Sequence, residues 1–165
     1  MIYYKYRNIR LGTRVEIRDK SASYQCVDLA LDWAVIGWGL ELSDIGRGNA
    51  VKMWTQGVFP SKTVWAITNQ ANNCPPTGAI VVFDATNANS AGHVAIVDSA
   101  STISLKVLEQ NGGGNGTGLG KDAVAIRKHS YTGTKYVGAV LGWFVPKISW
   151  TTLKGGHLGP LGTLP

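Results

Sequence analysis

The chain has 165 residues, of which 44% are hydrophobic and 16% are charged, and it carries a formal net charge of +6 at pH 7. A chain of this length forms one domain that buries about two-thirds of its unfolded surface without disulfides. No stretch is long and apolar enough to span a bilayer, because Asp32 and Glu41 interrupt the most hydrophobic region. We therefore expect one domain that does not insert into membranes, and we expect it to be a monomer.

The first predicted helix runs from Gln25 to about Gly37, where the apolar residues are too many for a single face. Cys26 lies at its start, where the positive end of a helix dipole stabilises a thiolate, the nucleophilic form of cysteine. Taken alone, a cysteine in such a helix is more often a small buried hydrophobe. Asp28, in the first turn, is expected to cap the helix and to interact with its dipole.

Further along the chain, the pattern predicts a second helix around residues 48–54 and an irregular region as far as residue 76. Five strands are then predicted, near residues 79–83, 93–97, 103–111, 124–130 and 139–145. Helices followed by a run of strands indicate an α+β fold with an antiparallel sheet. The helix that carries Cys26 is expected to pack on this sheet.

His93 follows a turn-forming stretch and begins the strand 93–97, so its imidazole can be partly wet and still rigidly held. We expect the N-terminus of the Cys26 helix to meet it there. By itself such a histidine is more often an ordinary residue at a loop boundary. Beside a cysteine, however, an imidazole can serve as the base that activates a thiol.

Glu109 and Asn111 stand two residues apart on one face of the predicted strand 103–111. Either side chain could accept a hydrogen bond from the second ring nitrogen of His93 and so hold one tautomer of the base. A solvated polar face is the other interpretation of this pair. Together with Cys26, the pattern predicts a hydrolase with a thiol nucleophile.

Five ordered segments of the sequence resemble the CHAP family, the cysteine, histidine-dependent amidohydrolases/peptidases. They are YQCVDL at 24–29, GAIVVF at 78–83, GHVAIV at 92–97, LEQN at 108–111 and GWFVP at 142–146. The resemblance implies a papain-like α+β fold and hydrolysis of amide bonds in bacterial peptidoglycan, as in bacteriophage endolysins and bacterial wall hydrolases. It divides the chain into an N-terminal segment (1–23), a catalytic domain (24–147) and a linker or C-terminal tail (148–165).

The resemblance also assigns roles to the matching residues. Cys26 is implied as the nucleophile, His93 as the base, Glu109 as its orienter and Asn111 as a fourth member of the site. Gln25 is implied to help the Cys26 backbone amide stabilise the oxyanion. The implied activity is that of an N-acetylmuramoyl-L-alanine amidase or a peptide endopeptidase, and the alternative is a non-catalytic module that binds the cell wall.

The six tryptophans suggest both core and binding roles. Trp33 and Trp143 are expected in the core, whereas Trp38, Trp54 and Trp65 are candidates for a groove that binds sugar and peptide. An arrangement with every tryptophan in the core fits the sequence equally well.

Many phage members of the CHAP family carry an acidic calcium loop shortly before the cysteine. Here residues 10–20 hold two carboxylates among four cations, whereas calcium takes about six to eight oxygen ligands. We therefore expect no metal site and no cofactor. Cys26 and Cys74 are both expected to be reduced, because a cytosolic origin disfavours a disulfide.

A glycine-rich stretch at 112–122 suggests a phosphate-binding loop, but Asn115 and Asp122 occupy positions where a P-loop needs glycine and a hydroxyl. We predict a flexible hairpin loop beside the site instead. His129 and His157 lack a surrounding motif and are expected on the surface.

The positive net charge favours anionic partners, and the phosphate-bearing polymers of Gram-positive walls would suit it. The cations are scattered and no nucleic-acid motif accompanies them, so nucleic acid is not expected as a partner. The first ten residues lack the hydrophobic centre and cleavage site of a signal peptide. We expect a protein made in a host cytoplasm that acts on the cell wall after release.

Overall fold

A computed structural model of the chain describes residues 1–18, 24–112 and 122–147. Within these ranges the helices are α1 (Tyr3–Arg10), α2 (Cys26–Trp38) and α3 (Ala50–Thr55), with a 3-10 turn at Leu42–Asp44. The strands are β1 (Val64–Thr68), β2 (Ile80–Phe83), β3 (His93–Ala100), β4 (Ser104–Glu109), β5 (Ala125–Ser130) and β6 (Val140–Pro146). No helix in this part of the chain is long and apolar enough to cross a membrane.

The strands form one sheet in the order β1-β6-β2-β3-β4-β5, and every neighbouring pair is antiparallel. Helix α2 packs against β3, and α3 packs against β2 and β3. The α+β fold with helices packed on an antiparallel sheet is therefore confirmed. Strand β3 lies in the interior of the sheet, and its first residue is His93.

The start of α2 is fixed by a reciprocal pair of hydrogen bonds. The Gln25 backbone N–H donates to the Asp28 carboxylate (2.7 Å), and the Asp28 N–H donates to the Gln25 carbonyl (3.1 Å). This arrangement satisfies backbone groups that a helix leaves unpaired at its N-terminus and adds a negative charge where the dipole favours one. The predicted capping role of Asp28 is confirmed. Because the cap defines the first turn, it also fixes the position of Cys26.

Each face of the sheet carries its own apolar cluster. The cluster between the helices and the sheet includes Leu29 and Trp33 of α2 and Ile96 of β3, and the cluster on the opposite face includes Val97 and Trp143. Trp33 and Trp143 are both almost completely buried, which confirms their expected place in the core. Burying a large apolar side chain contributes about 1.5–3 kcal/mol. With both faces covered, the central strands give the site a rigid base.

Helix α1 lies in a segment for which no helix was predicted. Tyr3 and Tyr6 are its buried residues, and the Tyr6 hydroxyl donates to the Asp32 carboxylate of α2 (2.8 Å). Arg10 forms a 2.7 Å ion pair with the same carboxylate. Two tyrosines three residues apart among cations give only a weak helical pattern of apolar residues, so the sequence did not predict this helix. The residue that holds Tyr6 in place, Asp32, is on another helix.

Strand β1 was not predicted either, since its residues fell in the stretch expected to be irregular. It is an edge strand that pairs with β6, and Val64 is its one buried residue. Its burial pattern does not alternate, so the segment lacks the period-two signal of a half-buried strand. Pairing with β6, rather than the local sequence, makes this segment extended.

Candidate active site

Cys26 and His93 are brought together by the packing of α2 on β3. Each is the first residue of its element, and the Cys26 thiol is hydrogen-bonded to the His93 side chain. His93 is only 3% exposed, whereas Cys26 remains partly accessible. Cys26 is therefore the more open member of the pair. This is the meeting of helix N-terminus and strand start that the sequence predicts.

Glu109 is the last residue of β4, the strand next to β3. Its carboxylate Oε2 lies 2.8 Å from His93 Nε2, and its side chain is completely buried. Since Nε2 is used by Glu109, the nitrogen left to face the Cys26 thiol is Nδ1. Thiol, imidazole and carboxylate thus form one chain of hydrogen bonds.

A second imidazole contacts the same carboxylate oxygen. His129 Nε2 lies 2.9 Å from Glu109 Oε2, and Arg127 Nη1 lies 3.2 Å from Glu109 Oε1. The His129 side chain is 9% exposed, so its predicted surface position was wrong. Both residues project from β5 on the side that carries Glu109, and β5 pairs with β4. The sequence signal for this position was the alternation of side chains along β5, which places Arg127 and His129 on the opposite face from Ile126 and Lys128.

The charges of the cluster stabilise one another. Burial alone raises the pKa of Glu109, but hydrogen bonds and positive charge from His129 and His93 outweigh it and bring the pKa down to about 2. Burial alone lowers the pKa of His93, but its bonds to Cys26 and Glu109 and their charges raise the pKa to about 10. The arrangement therefore favours an ionised carboxylate beside a protonated imidazole.

Asn111 lies beyond the end of β4 rather than on it. Its φ of 57° places it in the left-handed region, and its side-chain Nδ2 lies 3.4 Å from Gln25 Oε1. Asn111 therefore contacts the residue that precedes the nucleophile. Gln25 is the N-terminal cap of α2 and directly precedes Cys26.

Gln110 is a site residue that sequence reasoning missed. It is completely buried, and its Nε2 donates to the backbone carbonyls of Val15 (2.9 Å) and Gln25 (3.0 Å). Its Oε1 accepts from the Val15 N–H at 2.6 Å. One carboxamide thus ties the N-terminal segment and the start of α2 to the end of β4. Because neighbouring residues of a strand point to opposite faces, the sequence could predict only that Gln110 lies on the face opposite Glu109.

Two backbone features lie against these residues. A Cβ placed on Gly112 would lie against Glu109 Oε1, so a side chain at this position would collide with the carboxylate. Tyr24, two residues before Cys26, has a φ of 46°, which is rare for an aromatic residue. Strained backbone of this kind is concentrated at functional sites.

The three tryptophans proposed for a groove lie in different environments. Trp38 is 4% exposed and packs on Phe59, so it is part of the core. Trp54 is half-buried against Phe144. Trp65 is 53% exposed on β1, with Lys147 Nζ 3.7 Å from its ring centre. Three strand spacings separate β1 from β3, about 14 Å.

Both cysteines are free, in agreement with their expected reduced state. Among the described residues no group of three or more histidine, cysteine, aspartate or glutamate side chains is placed to hold a metal ion. The Glu16 carboxylate accepts instead from the backbone N–H groups of Arg18 and Tyr24, each at 3.3 Å. The remainder of the stretch before the cysteine, from Asp19, lies outside the described residues, as do the loop 113–121, His157 and the tail 148–165.

This arrangement can perform nucleophilic acyl transfer. A thiol at a helix N-terminus faces an imidazole, and a buried carboxylate holds that imidazole in one tautomer. The described residues that flank the expected glycine-rich loop pair with each other. The Asn111 N–H donates to the Asp122 carbonyl (3.3 Å) within the β4–β5 hairpin.

Comparison with solved structures shows the same fold. Over 90% of this chain, it superposes on the wild-type endolysin LysIME-EF1 with a TM-score of 0.69 and 20% identity. Ly7917 matches over 87% of the chain, with a TM-score of 0.54 and 20% identity, or 0.58 and 19% in the structure determined with the hydrolyzing product of MDP. The chain spans 64% of the length of LysIME-EF1 and 61% of Ly7917. These matches support a papain-like α+β fold.

Comparison with curated proteins gave no match. The family model of the CHAP domain matches residues 17–111, which is more than half of the chain and includes Cys26, His93 and Glu109. The chain belongs to the CHAP domain family.

Proposed function

We propose that this protein is a peptidoglycan hydrolase that cleaves an amide bond of the bacterial cell wall by cysteine nucleophilic catalysis. The observation that carries the proposal is the continuous chain of hydrogen bonds from Cys26 through His93 to the buried carboxylate of Glu109. A module that only binds the wall has no need of this chain. The match to the CHAP domain and the fold shared with the endolysin LysIME-EF1 support the same conclusion.

In the proposed reaction the Cys26 thiolate attacks the carbonyl carbon of the scissile amide. The tetrahedral intermediate collapses, the C–N bond breaks, and His93 Nδ1 gives its proton to the leaving amine. Water then attacks the thioester, with its proton passing to His93, and releases the carboxylic acid and the free thiol. Glu109 holds the imidazole through Nε2 in every step.

The oxyanion is proposed to bind at the start of α2. The Cys26 backbone N–H points out of a helix N-terminus, where the dipole favours negative charge. Gln25 assists it, and Asn111 contacts the Gln25 side chain as the fourth member of the site. Among the tryptophans that the structure describes, the half-buried Trp54 and the exposed Trp65 remain open for contact with sugar or peptide.

The substrate is proposed to be the wall of Gram-positive bacteria, whose phosphate-bearing polymers complement the net charge of +6. We propose that a monomer acts on the wall after synthesis in a host cytoplasm and release. Both a muramoyl-alanine amidase and a peptide endopeptidase agree with the geometry. The structure of Ly7917 with the hydrolyzing product of MDP supports a muropeptide as the class of substrate.

Digestion of purified cell walls, followed by mass spectrometry of the products, tests the proposal and identifies the bond. A free L-alanine amino group together with a free lactyl carboxylate on muramic acid would indicate an amidase, and new termini within the stem peptide or cross-bridge would indicate an endopeptidase. The matched control is Cys26→Ser, which changes one atom of the nucleophile. Binding of the wild-type protein to the walls without any new termini would refute hydrolysis and favour the wall-binding module.

A further inference from the structure

The Glu109 carboxylate has more partners than the orienter of a catalytic imidazole needs. Its Oε2 contacts both His93 Nε2 (2.8 Å) and His129 Nε2 (2.9 Å), and its Oε1 contacts Arg127 Nη1 (3.2 Å). The carboxylate is completely buried, and the rings of the two histidines lie 6.4 Å apart. Two imidazoles therefore share one oxygen atom in a space closed to solvent.

The hydrogen-bond roles in this cluster follow from the chemistry of the groups. An ionised carboxylate only accepts, so both Nε2 atoms must carry a proton and donate. His93 then has Nδ1 available for Cys26. His129 does not serve Cys26 in this way, because its contact with the catalytic residues is through Glu109.

The surroundings hold His129 in place. Its ring packs on Phe83 of β2 at 5.3 Å between centroids, and Phe83 also packs on His93 at 5.9 Å. The other described charged groups near the carboxylate are Arg127 and, 4.0 Å from that guanidinium, Asp122. Rotation of the carboxylate would break bonds to β3 and β5 together, and Gly112 closes the Oε1 side.

We propose that His129 is a positioning residue of the catalytic site, which fixes Glu109 and keeps it ionised so that His93 and Cys26 remain an ion pair under acidic conditions. This inference deepens the proposed function and rests on the use of Cys26 as a nucleophile. His129 acts without touching the reacting atoms. Removing its N–H takes away one of two donors to Oε2, so the carboxylate protonates at a higher pH.

Once Glu109 is protonated, it no longer stabilises the imidazolium of His93, and that imidazolium is what stabilises the Cys26 thiolate. Loss of His129 should therefore move the acid limit of thiolate reactivity toward neutral pH. A histidine that merely fills space on Phe83 would affect stability but not this limit.

The experiment measures the rate of Cys26 alkylation by iodoacetamide from pH 4 to 9 by peptide mapping, in the wild-type protein and in His129→Phe, which keeps an aromatic ring without the N–H. We expect the acid midpoint of alkylation to rise by about half to one pH unit, and wall clearing at pH values below the wild-type midpoint to fall roughly three- to tenfold. His129→Gln, which retains an N–H donor, should restore most of the wild-type profile. Lys128→Gln is the matched control, because Lys128 is exposed on the other face of β5.

An unchanged acid midpoint in folded His129→Phe would overturn the proposal, and so would a shift of equal size in Lys128→Gln. If His129→Phe does not fold, the nitrogen chemical shifts of the wild-type histidines provide the test. A proton on Nε2 of His129 throughout the active range supports the proposal, and a bare Nε2 refutes it.

Alkylation does not require a substrate, so this result is independent of wall hydrolysis. A shifted midpoint in a protein that digests no wall would leave the positioning role intact and refute the proposed function. Wall digestion with an unshifted midpoint would refute the positioning role and leave the proposed function intact.

Discussion

Two buried carboxylates, Asp32 and Glu109, are held by protein donors of different kinds. Asp32 accepts from the Tyr6 hydroxyl (2.8 Å) and pairs with Arg10 (2.7 Å), which joins α1 to α2. Glu109 accepts from two imidazoles and one guanidinium, which joins β4 to β3 and β5. Both satisfy the requirement that a buried charge be paired and hydrogen-bonded.

The donors determine what each carboxylate can do. The pKa of Tyr6 is raised far above its ordinary value by burial and by Asp32, and arginine stays charged, so the Asp32 cluster keeps its protons at any ordinary pH. An imidazole can change its protonation in the range where enzymes work. The Asp32 cluster is therefore a structural tie, whereas the Glu109 cluster can exchange protons with a nucleophile.

The largest effects are expected at the nucleophile and base. Cys26→Ser and His93→Ala should each lower wall clearing by at least about 10⁴-fold, because the two residues act as a unit and either loss stops the same step. Turbidity loss of purified walls measures the rate, and circular dichroism checks that the fold is intact. Substantial activity of folded Cys26→Ser would refute the mechanism.

Exchanging the carboxylates for amides tests the comparison directly. Glu109→Gln should slow turnover roughly 100-fold, less than loss of Cys26, because Glu109 orients the base but does not react. Asp32→Asn should reduce the free energy of unfolding by about 1–3 kcal/mol and leave the turnover of the folded fraction unchanged. Rates at saturating wall concentration, together with urea unfolding, separate the two effects. A slow but fully stable Asp32→Asn would contradict the assigned roles.

The free energy of unfolding should depend on pH through the Glu109 cluster. The folded pKa of Glu109, about 2, lies below its ordinary value of 4.5, so its stabilisation is present above about pH 4.5 and is lost as the pH falls toward 2. The folded pKa of His93, about 10, lies above 6.5, so its stabilisation is present below about pH 6.5 and is lost as the pH rises toward 10.

Both shifts arise from the same interaction between Glu109 and His93. This interaction contributes on the order of 3 kcal/mol in total to the free energy of unfolding. Urea unfolding across pH, with Glu109→Gln as the reference, measures the dependence. If both proteins showed the same slopes below pH 4.5 and above pH 6.5, the ion pair would not exist in solution.

The smallest effect is expected from metal removal. Residues 10–20 hold two carboxylates among four cations, which is too few acidic donors for calcium. EDTA should therefore leave both wall clearing and the melting temperature unchanged. Inhibition that added calcium reverses would show that a metal site exists near the nucleophile, and Asp19 and Asp44 would be the first ligands to test.

The parts of the site that the sequence could predict are those set by position within one element. Cys26 at a helix start, His93 at a strand start and Glu109 near a strand end each follow from local patterns. His129 and Arg127 could not be assigned in this way. Their role depends on the register between β4 and β5, which a single sequence does not specify.

The fold shows the same division. Helix α2 and the strands from β2 onward have dense or alternating apolar patterns, which predict them to within a few residues. Helix α1 and strand β1 are defined by partners far along the chain, namely Asp32 and β6. Segments that depend on such distant contacts have weak local signals.

The carboxamide of Gln110 has a consequence for the order of folding. It joins strand β4 to Val15, 95 residues earlier, and to Gln25 beside the nucleophile. Contacts this distant in sequence form late, because the entropic cost of closing a long loop comes before the contacts stabilise the chain. The start of α2, and the thiol with it, therefore reaches its final position only after β4 has formed. A nascent or partly folded chain would carry Cys26 as an ordinary thiol, which delays the appearance of a reactive nucleophile until synthesis has passed the β4 strand.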